Sequence, residues 1–205
     1  MTSAPPPRSS LAVFVSAVLR QPSLIGAVVP SSPALAARLA SVVPGQGEPL
    51  VVELGAGTGA VSGAIESRLG GRGRYLAIEL EEDLATHVQA AYPKIEVVNA
   101  NAADLDKVLA DRGVGEPGMV DAVVSGLPWV LIPEQVQRQI IGHVADGIGQ
   151  TGVFTTFAYV HALGMVGARK FRILLESVFD EVLLTRVVWR NVPPAITYVC
   201  RRPKT

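Results

Sequence analysis

The chain has 205 residues, 49% of them hydrophobic, and its formal net charge is zero. A chain of this length fits one compact domain, and so large an apolar fraction allows a sizeable buried core and excludes disorder over most of the length. The basic residues are concentrated in segments 1–48 and 169–205 around an acidic middle, which suits contact with an anionic surface, although ordinary solvated faces explain it equally well.

The single cysteine, Cys200, excludes an internal disulfide framework and fits a reducing cytoplasm. The three histidines are scattered and have no cysteine partners at the spacing of zinc ligands, so we expect no metal site.

The apolar stretch 11–30 is interrupted at 20–22, which leaves runs far shorter than the ~20 residues of a membrane-spanning helix. We therefore expect a cytoplasmic protein, with a peripheral position at the inner membrane face as an option.

The N-terminal part begins with a proline-rich segment. Three consecutive prolines within residues 1–10 predict a disordered leader. Apolar residues at 11, 14, 15 and 18 then share one helix face, which predicts an amphipathic helix over 10–20. Ser31, Ser32 and Pro33 supply an N-cap and a first-turn proline for a second helix that reaches about Val43.

From residue 49 onward, strands and helices alternate along the chain. Continuous apolar runs predict buried strands, and apolar positions at helical spacing predict helices. The predicted strands cover 49–54, 74–80, 95–100, 119–125 and 152–159, and the predicted helices cover 60–69, 83–91, 104–110, 134–148 and 165–179. Segments 181–190 and 195–202 flank an Asn-Val-Pro-Pro turn and are typical of an antiparallel pair. The sequence predicts an α/β fold with a seven-stranded, mainly parallel sheet, a C-terminal antiparallel hairpin, helices on both faces and extra N-terminal helices.

A glycine-rich loop, E-L-G-A-G-T-G at residues 53–59, follows the first predicted strand. It satisfies the dinucleotide fingerprint, a weak signal by itself. Glu53 would repel a phosphate at the helix N-terminus but suits a ligand that carries an ammonium group. The alternating glycines allow the backbone to approach a ligand that has no phosphate. Both features favour S-adenosylmethionine over NAD as the ligand, and a solvated strand end is the ordinary alternative for Glu53.

The ends of the second and third strands predict the rest of a nucleoside site. Glu79 lies twenty residues after Gly59, where a carboxylate can accept both ribose hydroxyls, as it would for NAD too. Asn101 follows the third strand, where a side chain would contact adenine. The predicted cofactor-binding residues are Glu53, Gly55, Ala56, Gly57, Thr58, Gly59, Glu79, Leu80, Asn101, Ala102 and Ser125.

On these motifs, residues 49–201 resemble the class I S-adenosylmethionine-dependent methyltransferases. The motifs I-G-A-V-V-P-S-S-P-A-L-A (25–36), S-G-L-P-W (125–129) and R-N-V-P-P-A (190–195) are similar to those of bacterial phospholipid N-methyltransferases. The resemblance implies a leader at 1–10, helices at 11–48 that cap the site, and a methyltransferase domain at 49–205. It also implies that the turn at Ser31 borders the cofactor pocket. Such enzymes usually carry Asp where this chain has Asn101.

The methyl acceptor is expected beyond the fourth strand, at residues Ser125, Gly126, Leu127, Pro128 and Trp129. Amine-methylating enzymes of this fold often have Asn or Asp, then Pro, then an aromatic residue here, and this chain has Ser125 and Trp129. The resemblance implies that the polar residue orients the amine. A tryptophan face attracts cations, which suits an ethanolamine headgroup, whereas a purely structural role in the core is the alternative for Trp129.

Two residues after the fifth strand are candidate catalytic groups beside Ser125. Tyr159 and His161 follow that strand and are expected at the same mouth, where they would orient the amine or accept its proton. A surface position is the alternative for His161. Positioning and desolvation should carry most of the catalysis, because the methyl donor is already activated.

The sequence thus predicts an enzyme that transfers methyl groups from S-adenosylmethionine, releasing S-adenosylhomocysteine, to phosphatidylethanolamine or a related aminolipid. Residues 10–20 would lie on the membrane or cover the site. Methylation of adenine N6 in ribosomal RNA, methylation of a small-molecule nitrogen or oxygen, and binding without turnover remain alternatives. Zero net charge and the lack of a basic domain argue against a nucleic-acid partner. The oligomeric state is not indicated.

Overall fold

Seven strands form a single sheet in the computed structural model, which describes residues 31–204. The strands are β1 (Leu50–Leu54), β2 (Arg74–Glu79), β3 (Glu96–Asn99), β4 (Ala122–Ser125), β5 (Val153–Tyr159), β6 (Phe179–Leu184) and β7 (Ala195–Pro203). Their order in the sheet is β3-β2-β1-β4-β5-β7-β6. The first five strands are parallel, and β7 runs antiparallel between β5 and β6. This confirms the predicted sheet and its antiparallel C-terminal pair.

Six α-helices cover the two faces of the sheet within the described residues. They are α1 (Pro33–Ala40), α2 (Ser62–Leu69), α3 (Glu82–Ala91), α4 (Leu105–Ala110), α5 (Glu134–Ile148) and α6 (Val166–Val178). Helices α1 to α3 pack in one buried cluster with one face of the sheet, and α4 to α6 pack in a second cluster with the other. None of these helices is both long enough and apolar enough to cross a bilayer.

The start of α1 is hydrogen-bonded to the loop between β6 and β7. The Ser32 hydroxyl accepts a 3.3 Å hydrogen bond from the Leu35 amide, which confirms the predicted N-cap. The Ser32 amide donates to Oδ1 of Asn191 (2.9 Å), and Nδ2 of Asn191 donates to the Pro193 carbonyl (2.7 Å). The first bond holds the start of α1 against the loop between β6 and β7, and the second fixes the Asn191 side chain within that loop.

The largest difference from the predicted elements lies in the C-terminal pair. The prediction has a strand over 181–190, but β6 begins at Phe179 and ends at Leu184. Beyond it, the ladder is interrupted and resumes only as a single bridge between Val188 and Ala195. The chain turns there through two prolines, which have no amide hydrogen for a ladder bond. The predicted leader at 1–10 and amphipathic helix at 10–20 lie outside the described residues.

Candidate functional site

A cavity of about 350 Å³ opens at the carboxyl edge of the parallel strands. Segments at or just beyond the ends of β1 to β5 contribute to its wall. It therefore lies where the strand order reverses between β1 and β4, which is the usual ligand position in open α/β sheets. Ser31 also lines the cavity, as the resemblance implies.

The glycine loop presents bare backbone to this cavity. Gly57 has φ +55° and lines the wall, and a Cβ added to it would meet no atom of the described residues within 4 Å. A side chain at Gly57 would thus occupy space open to a ligand. Gly55, Ala56 and Thr58 also line the cavity. Gly59 does not line it, and a Cβ there would lie 2.8 Å from the Tyr92 ring.

Glu79 is the only charged residue in the cavity wall within the described part of the chain. The side chain is 2% exposed, and each carboxylate oxygen accepts one backbone hydrogen bond, from Gly57 (2.8 Å) and from Glu81 (3.0 Å). A carboxylate has about four lone-pair sites, so both oxygens can still accept hydroxyl donors. The side chain is thereby oriented toward the place where sequence analysis expects a ribose.

The segments that follow β2 and β3 form another part of the cavity wall. Leu80, Asn101 and Ala102 line the cavity. The Oδ1 atom of Asn101 accepts a 2.9 Å hydrogen bond from the Ala103 amide and so caps the short 3-10 turn Ala102–Asp104. The amide oxygen that sequence analysis assigned to adenine thus already holds one backbone donor, with its second lone pair remaining.

Glu53 lies beneath the glycine loop, whereas sequence analysis places it in the wall. It is fully buried, and its Oε2 accepts hydrogen bonds from Ser62 (2.6 Å) and Tyr75 (2.5 Å). Side chains alternate along a strand, so Glu53 points to the face that packs on α1 to α3. Within residues 31–204, Oε1 has no hydrogen-bond partner, and burial raises the pKa of Glu53 to about 7.

The loop after β4 is divided between the wall and the core. Gly126, Leu127, Pro128 and Trp129 line the cavity, as expected for a substrate loop. Ser125 does not line it. Its hydroxyl accepts a 3.2 Å bond from the Leu127 amide, and its carbonyl accepts one from the Thr156 hydroxyl (3.2 Å). The Ser125 side chain therefore shapes the loop, because the backbone already engages its only polar group.

Trp129 belongs both to the cavity wall and to the buried core. It lines the cavity but is only 3% exposed. Its Nε1 donates a 2.9 Å hydrogen bond to Thr156, and its ring stacks on Phe171 with centroids 4.7 Å apart. Phe171 thus covers one face of the indole.

Of the two candidate catalytic residues at the end of β5, only one belongs to the cavity wall. Tyr159 lines the cavity, and burial raises the pKa of its hydroxyl above the usual value of 10. His161 is exposed and does not line the cavity. The two rings stack with centroids 5.7 Å apart. His161 thus supports the Tyr159 ring from the outside and does not reach the interior.

An apolar wall completes the cavity, and sequence analysis did not identify it. Its residues come from the segment after β4, from β5 and β7 and from two helices, and include Val130, Ile132, Val136, Ile140, Phe157, Ala168, Phe171 and Tyr198. Those on α5 and α6 have the helical spacing of ordinary core residues, so their sequence pattern carries no signal. Phe157, two positions before Tyr159 on β5, is the one that strand alternation could have found. Within residues 31–204, no three acidic, histidine or cysteine side chains are placed to hold a metal ion.

Comparison of the sequence with known proteins finds a lipid methyltransferase as a relative. No protein-family model matches the chain. An ornithine lipid N-methyltransferase from Singulisphaera acidiphila is 31% identical over 195 residues, which cover 94% of this chain and 96% of the relative.

Solved structures share the fold at low sequence identity. A TehB-like SAM-dependent methyltransferase from Corynebacterium glutamicum has a TM-score of 0.59 and 13% identity, covering 93% of this chain and 97% of its own. Human methyltransferase-like protein 13, in complex with SAH, has a TM-score of 0.59 and 17% identity, and the match covers 83% of this chain and 79% of the human chain. An rRNA methylase from Streptococcus thermophilus has a TM-score of 0.57 and 18% identity, covering 86% and 99%.

Proposed function

The chain belongs to the class I S-adenosylmethionine-dependent methyltransferases, and we propose that its methyl acceptor is the amine of phosphatidylethanolamine or a related aminolipid. The observation that carries this proposal is the 31% identity, over nearly the whole of both chains, to an ornithine lipid N-methyltransferase. The cavity supports it further, because its acceptor side is apolar and has no acidic or basic side chain within the described residues.

The residues around the glycine loop fit S-adenosylmethionine. The bare backbone at Gly55 to Thr58 would hold the amino-acid end, Glu79 would accept the ribose hydroxyls, and Asn101 and Ala102 would border the adenine. Among residues 31–204, the wall has a single carboxylate and no cationic side chain, which also suits a donor that carries a positive sulfonium. When bound, S-adenosylmethionine supplies a methyl group activated for direct displacement.

The acceptor amine must lose its proton before it can attack. A primary alkyl amine, with a pKa near that of lysine at ~10.4, is almost fully protonated in neutral water. The apolar wall formed by residues such as Val130, Phe157 and Phe171 disfavours the charged form and so lowers the pKa of a bound amine. Desolvation can therefore supply the neutral amine, and the proton leaves to water at the cavity mouth.

Tyr159 is the side chain best placed to orient this amine. It lines the cavity, and its raised pKa keeps the phenol protonated near neutral pH, so it acts as a hydrogen-bonding group and not as a base. The indole of Trp129 lies in the same wall and would attract the methylated, cationic product. The position of His161 outside the wall does not suit direct proton transfer.

The test is methyl transfer to defined lipids. Purified protein is incubated with methyl-labelled S-adenosylmethionine and vesicles that contain phosphatidylethanolamine or ornithine lipid, and the extracted lipids are analysed by mass spectrometry. We expect label on the headgroup in steps of one methyl group. An N-acetylated phosphatidylethanolamine, which has no basic amine, is the matched control. If neither lipid is labelled although the protein still binds S-adenosylhomocysteine, the proposal is refuted.

A further inference from the structure

Four large apolar side chains are exposed beside the cavity mouth. They are Met165 (56% exposed), Val166 (68%), Trp189 (73%) and Val192 (72%), and we call them the apolar rim. They come from the start of α6 and from the loop between β6 and β7, which both lie at the carboxyl edge of the sheet. A patch of this kind on a folded protein usually marks an interaction surface.

The two segments of the apolar rim are joined to each other and to the cavity. The Val160 amide donates a 2.9 Å hydrogen bond to the Pro194 carbonyl, which links the chain before α6 to the loop after β6. Tyr159 and Ala162, just before α6, line the cavity. The apolar rim therefore borders the mouth through which an acceptor would enter.

The two chain segments that form the apolar rim carry charge of one sign. Neither residues 160–175 nor residues 182–205 contain an aspartate or glutamate. Arg169, Arg186 and Arg190 are exposed and form no ion pair within residues 31–204; we call them the basic rim. Lys170 is not part of the basic rim, because its Nζ forms an ion pair with Oε1 of Glu134 at 2.6 Å. Exposed apolar groups interleaved with unpaired arginines are complementary to an anionic lipid surface.

We propose that the apolar and basic rims dock on an anionic bilayer, with Trp189 among the headgroups and the cavity mouth facing the lipid. An indole is amphipathic and favours this interface, and arginines beside it attract anionic headgroups. The proposal goes beyond the proposed function and draws on it only for the location of the acceptor.

Two other occupants fit the rims less well. Residues 1–30 carry two arginines and no acidic residue, so they cannot neutralise the basic rim. RNA would pair with the arginines but would leave the aliphatic side chains of Met165, Val166 and Val192 without an apolar partner. A bilayer interface satisfies both the charge and the apolar surface.

Tryptophan fluorescence provides a direct test. The chain has two tryptophans, Trp129 in the core and Trp189 on the rim. The full chain is mixed with vesicles of phosphatidylcholine alone or of phosphatidylcholine with phosphatidylglycerol, so no aminolipid is present. We expect sedimentation with the anionic vesicles only, a blue shift of the emission, and quenching by brominated lipid. A Trp189→Phe variant should lose the shift, because only Trp129 remains.

Charge variants test the basic rim. Each of Arg186→Gln and Arg190→Gln should weaken partition to anionic vesicles about fivefold. The matched controls Arg201→Gln and Met119→Ala change exposed residues at the opposite edge of the sheet and should leave partition unchanged. Equal loss in the controls, or vesicle binding with unchanged Trp189 emission, would overturn the proposal. So would RNA binding with the same arginine dependence and no vesicle binding.

Failure of docking and failure of the proposed function give different results. Aminolipid in detergent micelles presents the headgroup without a bilayer. Methylation in micelles without vesicle binding would refute the docking surface and leave the aminolipid function standing. Vesicle binding through the rims without methylated lipid in any form would refute the aminolipid function and leave the docking surface standing.

Discussion

The Tyr75 hydroxyl on β2 donates a 2.5 Å hydrogen bond to Oε2 of Glu53 on β1, directly beneath the glycine loop. Ser62 on α2 donates to the same oxygen at 2.6 Å. Burial raises the pKa of Glu53 to about 7, and the two hydrogen bonds oppose that rise only in part. The first strand, the second strand and the helix after the loop therefore meet at one carboxyl group that can change charge near neutral pH.

This carboxyl group should make the stability of the protein depend on pH. Its pKa is about 7 in the folded state and 4.5 ordinarily, so its contribution to stability is fully present below pH 4.5 and is lost as pH rises through 7. The free energy of unfolding should therefore fall by about 3 kcal/mol over this pH range, because each pKa unit corresponds to ~1.4 kcal/mol. Glu53→Gln keeps an acceptor for Ser62 and Tyr75 but cannot ionise, so the unfolding free energy should fall much less across this range.

Urea unfolding at about pH 5 and about pH 8 measures this difference. Glu116→Gln, at an exposed glutamate, is the control and should retain the parent's pH slope. A Glu53→Gln variant with the same slope as the parent would show that Glu53 does not titrate in this range.

A matched pair of glycine variants should isolate the cofactor role of the loop. Gly57 (φ +55°) and Gly113 (φ +70°) both have left-handed backbone and open space for a Cβ, so alanine should cost each site about 1 kcal/mol of stability. Of these two glycines, Gly57 lines the cavity and Gly113 does not. We expect Gly57→Ala to weaken S-adenosylhomocysteine binding at least about tenfold in calorimetry, with Gly113→Ala close to the parent. Equal affinities for the two variants would contradict the assigned ligand position.

Glu79→Gln should weaken cofactor binding without unfolding the loop. The amide oxygen can still accept from Gly57, whereas the amide nitrogen cannot accept from the Glu81 backbone, and the charged acceptor for ribose hydroxyls is lost. Hydrogen bonds to charged groups contribute ~1.5–3 kcal/mol, so the Kd for S-adenosylhomocysteine should rise about 10- to 100-fold. Glu82→Gln, exposed at the start of α3, is the control. An unchanged Kd for Glu79→Gln would exclude the ribose assignment.

Tyr159 and His161 should differ in their effect on methyl transfer. Loss of one neutral hydrogen bond in Tyr159→Phe should lower kcat/KM about fivefold and leave the pH–rate profile in place. His161→Ala should change kcat/KM less, because that ring is outside the wall. A general base raises the rate of a reaction by ~10²–10⁴-fold. If either variant lost that much of kcat/KM and its pH–rate profile no longer fell at acidic pH, a base would be identified at that position.

Local sequence pattern was sufficient for most of the elements and for several residues of the cavity wall at the edge of the sheet. Apolar runs and helical periodicity identified the strands and helices because burial of one face imposes those periods. Gly57 and Glu79 could be recognised because a positive φ and a carboxylate at a strand end are requirements of the positions themselves. The interruption after β6 was missed, because pairing there is broken by a turn that the apolar residues of 185–190 do not reveal.

The sequence by itself determined that this chain would build a parallel sheet with a glycine loop and a carboxylate at its edge, because those features depend on residues close together in the chain. Only the tertiary structure decided what each buried side chain faces. Glu53 lies beneath the loop, Ser125 bonds to backbone, and His161 stands outside the wall. Periodicity shows that a residue is buried but not whether it meets the core or the cavity, since that depends on how helices distant in sequence pack over the sheet.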